Sequence, residues 1–249
     1  MTGIPKRILM TCGETSGDHH AARLVSEIRE LSRGTTVTAL GGRELESAGA
    51  DVRFQIDRYA FMGFTEIARG LPRILSLERK LRRFLSSGEV DLFIPVDYPG
   101  FNLRLARYAK SVGVPVLYYI SPQIWAWGGW RIGRMRRSID LMAVILPFEE
   151  EIYRRAGIPV IFAGHPSLDE IAAPSSPKEA PRISDECLIL IFPGSRLQEA
   201  QRMMSPMMEA ARVIKRRYSR ARFTLGLAPL IEKRSIRIPS DLEPSFDIT

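Results

Sequence analysis

The feature that most constrains this chain is an alternation of short apolar runs with longer amphipathic stretches. That rhythm favours a parallel α/β sheet with helices as crossovers. Residues 7–12 read as a buried first strand, followed by the loop Gly13-Glu14-Thr15-Ser16-Gly17-Asp18. A helix is predicted over 18–31, with Leu24, Ile28 and Leu31 on its apolar face, and a second strand over 35–40, closed by Gly41-Gly42. Further strands are expected at 92–96, 114–120, 141–146 and 160–162, and helices at 71–85, 102–112 and 148–156. Together these describe a doubly wound, Rossmann-like domain over residues 1–170.

From Ile171 the character changes. Ala-Ala-Pro-Ser-Ser-Pro-Lys-Glu-Ala-Pro, within 171–185, reads as an interdomain linker. Beyond it, 186–249 opens with a strand at 187–192, the loop Pro193-Gly194-Ser195-Arg196, a helix to about Tyr218 and a strand at 222–227. The tail from Ile238, with Pro239 and Pro244, shows no periodicity. Against typical domains of about 100 to 150 residues, this second Rossmann-like domain is expected to be incomplete, with the chain truncated at its C-terminal side.

No apolar run approaches the roughly 18 residues of a membrane span, and no secretory signal is read. Cys12 and Cys187, far apart in apolar segments, are expected to be buried thiols. The formal charge is +8, and 30 of the 36 basic residues are arginine, the side chain suited to forked phosphate recognition. Nucleic acid rests on charge alone, because no nucleic-acid-binding motif accompanies it. His19, His20 and His165 lack metal-ligand spacing, and no metal site is expected.

Carboxyl ends of strands face the ligand in open α/β sheets. The Gly13–Asp18 loop lies at such an end, where Thr15 and Asp18 also have capping-box spacing. Asp97-Tyr-Pro-Gly-Phe-Asn102 follows another strand end. Asn102 is the better helix cap, which leaves Asp97 for general-base work. Tyr118-Tyr-Ile-Ser-Pro-Gln-Ile-Trp-Ala-Trp127, with Trp130 and then Arg131, Arg134, Arg136 and Arg137, offers flat apolar walls beside cations, a combination suited to a sugar ring, an acyl chain or a membrane interface. The basic amphipathic stretch 71–85 fits an anionic bilayer or, more simply, a surface helix packed on the sheet. Ser195 and Gln198 have capping-box spacing, at a helix start where Arg196 adds charge for a phosphate.

Taken in order, these motifs resemble the lipid-A-disaccharide synthase family. The resemblance runs from Gly-Glu-Thr-Ser-Gly-Asp at 13–18 and Gly-Gly-Arg at 41–43 through Met62-Gly-Phe-Thr-Glu66 and Asp97-Tyr-Pro-Gly-Phe-Asn102. It continues with Tyr119-Ile-Ser-Pro-Gln-Ile-Trp-Ala-Trp127, Leu146-Pro-Phe-Glu149, Gly164-His-Pro166 and Pro193-Gly-Ser-Arg196. It implies a two-domain GT-B glycosyltransferase that joins UDP-2,3-diacylglucosamine to 2,3-diacylglucosamine 1-phosphate with inversion, releasing UDP, without metal or cofactor. By the same resemblance Asp97 is the candidate base, with Glu14 shaping the cleft. Ser16, Asp18, Met62, Asn102, Ser121, Gln123 and Trp125 fall to the acceptor cleft, and Gly194, Ser195 and Arg196 to the donor phosphates. The implied location is peripheral, on the cytoplasmic face of a Gram-negative inner membrane, with an anionic membrane surface as partner; a homo-oligomer is compatible. Two alternatives share these residues: another GT-B transferase of UDP-sugars, and a non-catalytic module binding acceptor or anionic lipid. One departure stands out: Gly100 occupies the place where the family usually carries a second acid.

Overall fold

The computed structural model describes residues 5–56, 64–126, 128–170, 187–195, 197–228 and 231–248, with side chains of the helix beginning at Phe64 described from Pro72. Met62, Trp127, Arg196 and the expected linker 171–185 lie outside the described residues. The chain divides into two compact units, Met1–Ala172 and Ala173–Thr249.

In the first unit β1 (Arg7–Thr11), β2 (Thr36–Gly41), β3 (Asp51–Gln55) and β4 (Leu92–Pro95) form a parallel sheet in the order β3-β2-β1-β4. A second parallel set, β5 (Leu117–Tyr119), β6 (Leu141–Val144) and β7 (Val160–Phe162), lies beside β4 through two isolated bridges, Phe93 with Val116 and Val96 with Tyr119. The ladder across this seam carries Phe93 N–H to Pro115 O and Asp97 N–H to Tyr119 O, both 3.0 Å. The donor midway between them belongs to Pro95, which has no N–H. A missing rung therefore shortens the strand expected over 114–120 to three residues.

Crossovers α1 (Thr15–Leu31), α2 (Arg43–Ser47), α3 (Phe64–Leu85), α4 (Pro99–Ser111), α5 (Ile132–Ser138) and α6 (Pro147–Arg155) complete this unit. Of the expected apolar face of α1, Leu24 and Ile28 are half-buried against the core. Leu31 is 82% exposed, and Ala21, Ala22 and Val25 make the buried stripe, small side chains that let the helix approach the sheet closely. Helix α3 begins seven residues ahead of expectation. Its Leu77, Leu81 and Leu85 are buried in the core, while Leu75 is 40% exposed. Strand β3 and helix α2 escaped the sequence reading: Asp-Val-Arg-Phe-Gln offers only two apolar residues, as an edge strand can.

The second unit pairs β8 (Leu188–Ile191), β9 (Arg222–Leu225) and β10 (Phe246–Ile248) in parallel, in the order β10-β9-β8. Helix α7 (Leu197–Arg217) buries Ala200, Met204, Met208 and Ala211 at i, i+4, i+8 and i+11 against Phe223 and Leu225. The aperiodic tail thus supplies a strand, held by Phe246 stacked on Phe223 with ring centroids 4.9 Å apart. Cys187 is only half-buried, unlike Cys12.

Candidate active site

Because every strand of the first unit is parallel, the loops after β1, β2, β4 and β5 meet at one edge. Strands β1 and β4 are neighbours there with non-consecutive numbers, the switch point at which doubly wound folds open a crevice. Glu14 is the N-cap of α1 and Asp97 follows β4, so two carboxylates from adjacent strands share the crevice mouth.

The Asp97 loop is strained. Among the described residues only Asp97 (φ 48°), Tyr98 (φ 48°) and Ile120 (φ 62°) are non-glycine residues in the left-handed region, and all three follow β4 or β5. Such conformations cost of order 1–3 kcal/mol each and persist only when their surroundings impose them. Here the surroundings are explicit. Asn102 is fully buried; its amide donates to Asp97 O (2.8 Å), Val96 O (3.2 Å) and Thr11 O (3.3 Å), and its Oδ1 accepts from the Thr11 hydroxyl (2.8 Å). The buried Tyr118 hydroxyl donates to Asp97 O at 2.7 Å. Asn102 is therefore neither helix cap nor cleft lining. The N-cap of α4 is Tyr98, with Pro99 opening the helix, and Asn102 clamps the loop from below.

Asp97 itself is half-buried. Burial raises its carboxyl pKa above the ordinary value, the Tyr98 N–H pulls it down and the nearby Glu14 charge pushes it up again. Tyr98 lies across Gly13 so closely that a Cβ there would overlap its ring, which explains glycine at that position. Cys12, Gly13, Leu40, Ile56, Ile74, Leu77, Tyr98 and Phe101 line a small, mostly apolar recess at this edge, with room for little more than a water molecule. Asp18 departs from its expected role. It does not cap α1; it is buried and accepts the N–H groups of Gly42 (2.5 Å) and Glu44 (3.0 Å), capping the first turn of α2 from across the loop after β2.

Of the other sequence-selected residues, Ser16 and Gln123 are exposed at the same edge and Ser121 is buried. Trp125 is half-exposed, its ring edge-to-face with Phe148 (5.2 Å) and its indole N–H donating to Glu149 at 3.2 Å. Glu149, 1% exposed, also accepts the Leu146 N–H (3.2 Å) and so anchors Trp125 to the start of α6. It was visible only as part of a motif; nothing in its spacing announced the pairing. The three histidines gather: His19 pairs with Glu44 (2.6 Å), and ring contacts link His19 to His20 and His20 to His165. Among the described residues, no group of three or more His, Cys, Asp or Glu could hold a metal ion.

In the second unit, the loop after β8 leads into α7. Gly194 has φ 119° and lies so close to Glu199 that a Cβ would sit 2.6 Å from its carboxyl carbon. Ser195 is exposed beside it.

Residues 8–247 match the family model described as lipid-A-disaccharide synthetase. The chain belongs to this family. Lipid-A-disaccharide synthase 1 of Legionella pneumophila (strain Paris) is 40% identical over 237 residues, covering 93% of this chain and 62% of its own length. The lipid-A-disaccharide synthase of Syntrophus aciditrophicus is 40% identical over 232 residues, 92% of this chain and 61% of its own. The chain thus spans a little over three-fifths of these curated relatives. Among solved structures, a UDP-GlcNAc 2-epimerase from Neisseria meningitidis bound to UDP-GlcNAc superposes with TM-score 0.61 at 13% identity, covering 97% of this chain and 71% of that one. The fold is α/β with parallel, Rossmann-like sheets of the GT-B type. The Asp97 and Glu14 motifs occupy the strand edge, and Gly100 is exposed with open space around it.

Proposed function

We propose that this chain carries the acceptor-side chemistry of an inverting glycosyltransferase that forms the lipid A disaccharide from UDP-2,3-diacylglucosamine and 2,3-diacylglucosamine 1-phosphate. The observation that carries this reading is Asp97: a carboxylate at the switch point, in a strained conformation held by buried donors, with its proton affinity raised. In this reading Asp97 takes the acceptor hydroxyl proton as that oxygen attacks the anomeric carbon of the donor. The bond from that carbon to the diphosphate breaks on the opposite face, and UDP leaves with the electron pair. Glu14 strengthens the base by its charge. Ser16, Gln123 and Trp125 face the acceptor, Ser121 supports their loop from beneath, and Met62 is assigned to the acceptor by its motif alone. Asp18 and Asn102 act as positioning residues. Gly194, Ser195 and Arg196 take the donor phosphates, where helix-terminal N–H groups and the macrodipole favour anions. The UDP-GlcNAc held by the Neisseria structure supports a UDP-sugar donor. The enzyme works peripherally, at the cytoplasmic face of a Gram-negative inner membrane.

The test is UDP release by this chain supplied with both lipid substrates in detergent. Turnover that needs both substrates and disappears in Asp97→Asn supports the reading. Wild-type turnover in Asp97→Asn sinks the base assignment, and acceptor binding without turnover favours the non-catalytic module.

A further inference from the structure

We propose that the second unit holds a binding site for a small phosphate ester, in a cleft of about 410 Å³ between α7 and the segment that joins β9 to β10. That size is ordinary for a small-molecule site. The cleft arises because this crossover is irregular. It contains Pro239 and Pro244 and, among the described residues, no α-helix, only two single 3-10 turns at Lys233–Ser235 and Glu243–Ser245. A regular crossover helix would lie about 8–10 Å from the axis of α7 and close the gap with its side chains. The thinner segment instead reaches the shared core through Ile231, Ile236 and Leu242 and leaves a neighbouring stripe of α7 open to the cleft. Met204, Met208 and Arg212, at i, i+4 and i+8, lie along that stripe.

The lining selects the ligand. Met204, Met208 and Ile236, largely buried, form an apolar floor. Arg212, Arg234 and Arg237 stand around it, and among the described residues no acidic side chain lines the cleft. Two of the arginines have partners outside the lining. Arg212 forks onto Asp241 through Nε (2.7 Å) and Nη2 (3.1 Å), and Arg234 pairs with Glu232. The fork engages two of the five guanidinium N–H groups, so Arg212 keeps donors to offer. Among the described residues no carboxylate pairs with Arg237. Guanidinium forks match phosphate oxygens, and methionine adapts to an aromatic or aliphatic body. An ester with an apolar portion therefore meets both layers, whereas inorganic phosphate meets only one. The cleft is separate from the loop Gly194-Ser195: Met204 to Arg212 lie roughly 10–22 Å along α7 from its start at Leu197, at about 1.5 Å per residue. The proposal thus stands whether or not the loop after β8 takes donor phosphates.

Methionine methyl groups report on the floor directly. The whole chain is labelled at its nine methionine methyls and followed by NMR, with Met204→Leu and Met208→Leu assigning the two reporters. The probes are UMP, monomeric dihexanoyl phosphatidic acid and inorganic phosphate. Saturable shifts of both methyls are expected with at least one ester, and a weaker response to inorganic phosphate. The ester that binds more tightly identifies a nucleotide or a lipid phosphate as the source. Arg237→Gln should weaken that binding about tenfold, the loss of one hydrogen bond to a charged group. Its urea midpoint should not change, since the side chain is exposed and without an ion-pair partner among the described residues. No shift with either ester, inorganic phosphate binding as tightly as both, or full affinity in Arg234→Gln/Arg237→Gln would each overturn the proposal. UMP held only at the loop after β8 would leave both methyls unmoved, and so counts against it.

Discussion

Replacing Asn102 with alanine removes a buried side chain that makes four hydrogen bonds beneath the Asp97 loop. The Thr11 hydroxyl, also buried, loses its acceptor, and an unsatisfied buried group of that kind costs about 1–3 kcal/mol. Loss of the amide contacts to three carbonyls adds roughly 0.5–1.5 kcal/mol for the shortest and less for the others. A total of about 3–4 kcal/mol is expected, large enough to require a named mechanism. Tyr118→Phe, which deletes one bond to Asp97 O and leaves the ring in place, should cost about 1 kcal/mol. Because Asn102 and Tyr118 donate to the same oxygen, either alone still satisfies it. The double variant leaves it orphaned and should exceed the sum by about 1 kcal/mol. Urea unfolding followed by tryptophan emission reads this unit alone, since every tryptophan lies in it. An Asn102→Ala cost under about 1 kcal/mol, or strict additivity within about 0.3–0.5 kcal/mol, would refute the shared-acceptor clamp.

Three further outcomes follow from the same edge. Burial raises the Asp97 pKa in the folded state, so protonation favours folding; that contribution is complete below the unfolded pKa and is lost as pH rises through the folded one. Asp97→Asn should therefore be more stable than wild type at pH 7, with the gap closing at pH 3 in paired urea melts. Gly13→Ala forces Tyr98 away and should cost roughly 1–3 kcal/mol by overpacking, read as a lowered urea midpoint. Gly100→Asp places a carboxylate in the first turn of α4, where nothing obstructs it. It should stabilise the unit by about 1 kcal/mol through helix propensity and the macrodipole, measured by thermal melting.

Strand ends were readable because apolar runs and the polar loops that stop them are local, and Asp97 and Glu14 stand at such ends. What those loops do was not. Asn102 looked like a cap from its neighbours, while its partner Thr11 lies 91 residues away. Asp18 likewise had capping-box spacing, yet serves a loop 24 residues on. On α1, Leu24 and Ile28 were legible as core-facing, but the fully buried stripe was not, because alanines, weak in any hydrophobic pattern, make the close contact. Left-handed backbone at Asp97, Tyr98 and Ile120 leaves no compositional trace, since none of them is glycine.

Pro95 gives the first unit an uneven mechanical grain. Each half-sheet is held by hydrogen-bonded ladders, while the seam between them carries two isolated bridges, Phe93 with Val116 and Val96 with Tyr119, and lacks the rung that Pro95 cannot donate. Amide hydrogen exchange should run fastest along that seam, with the Asp97 N–H released before those of β1. A ligand bridging the β4 and β5 loops would fasten two plates that the backbone leaves loosely tacked, and its binding should appear as slowed exchange far beyond its own footprint.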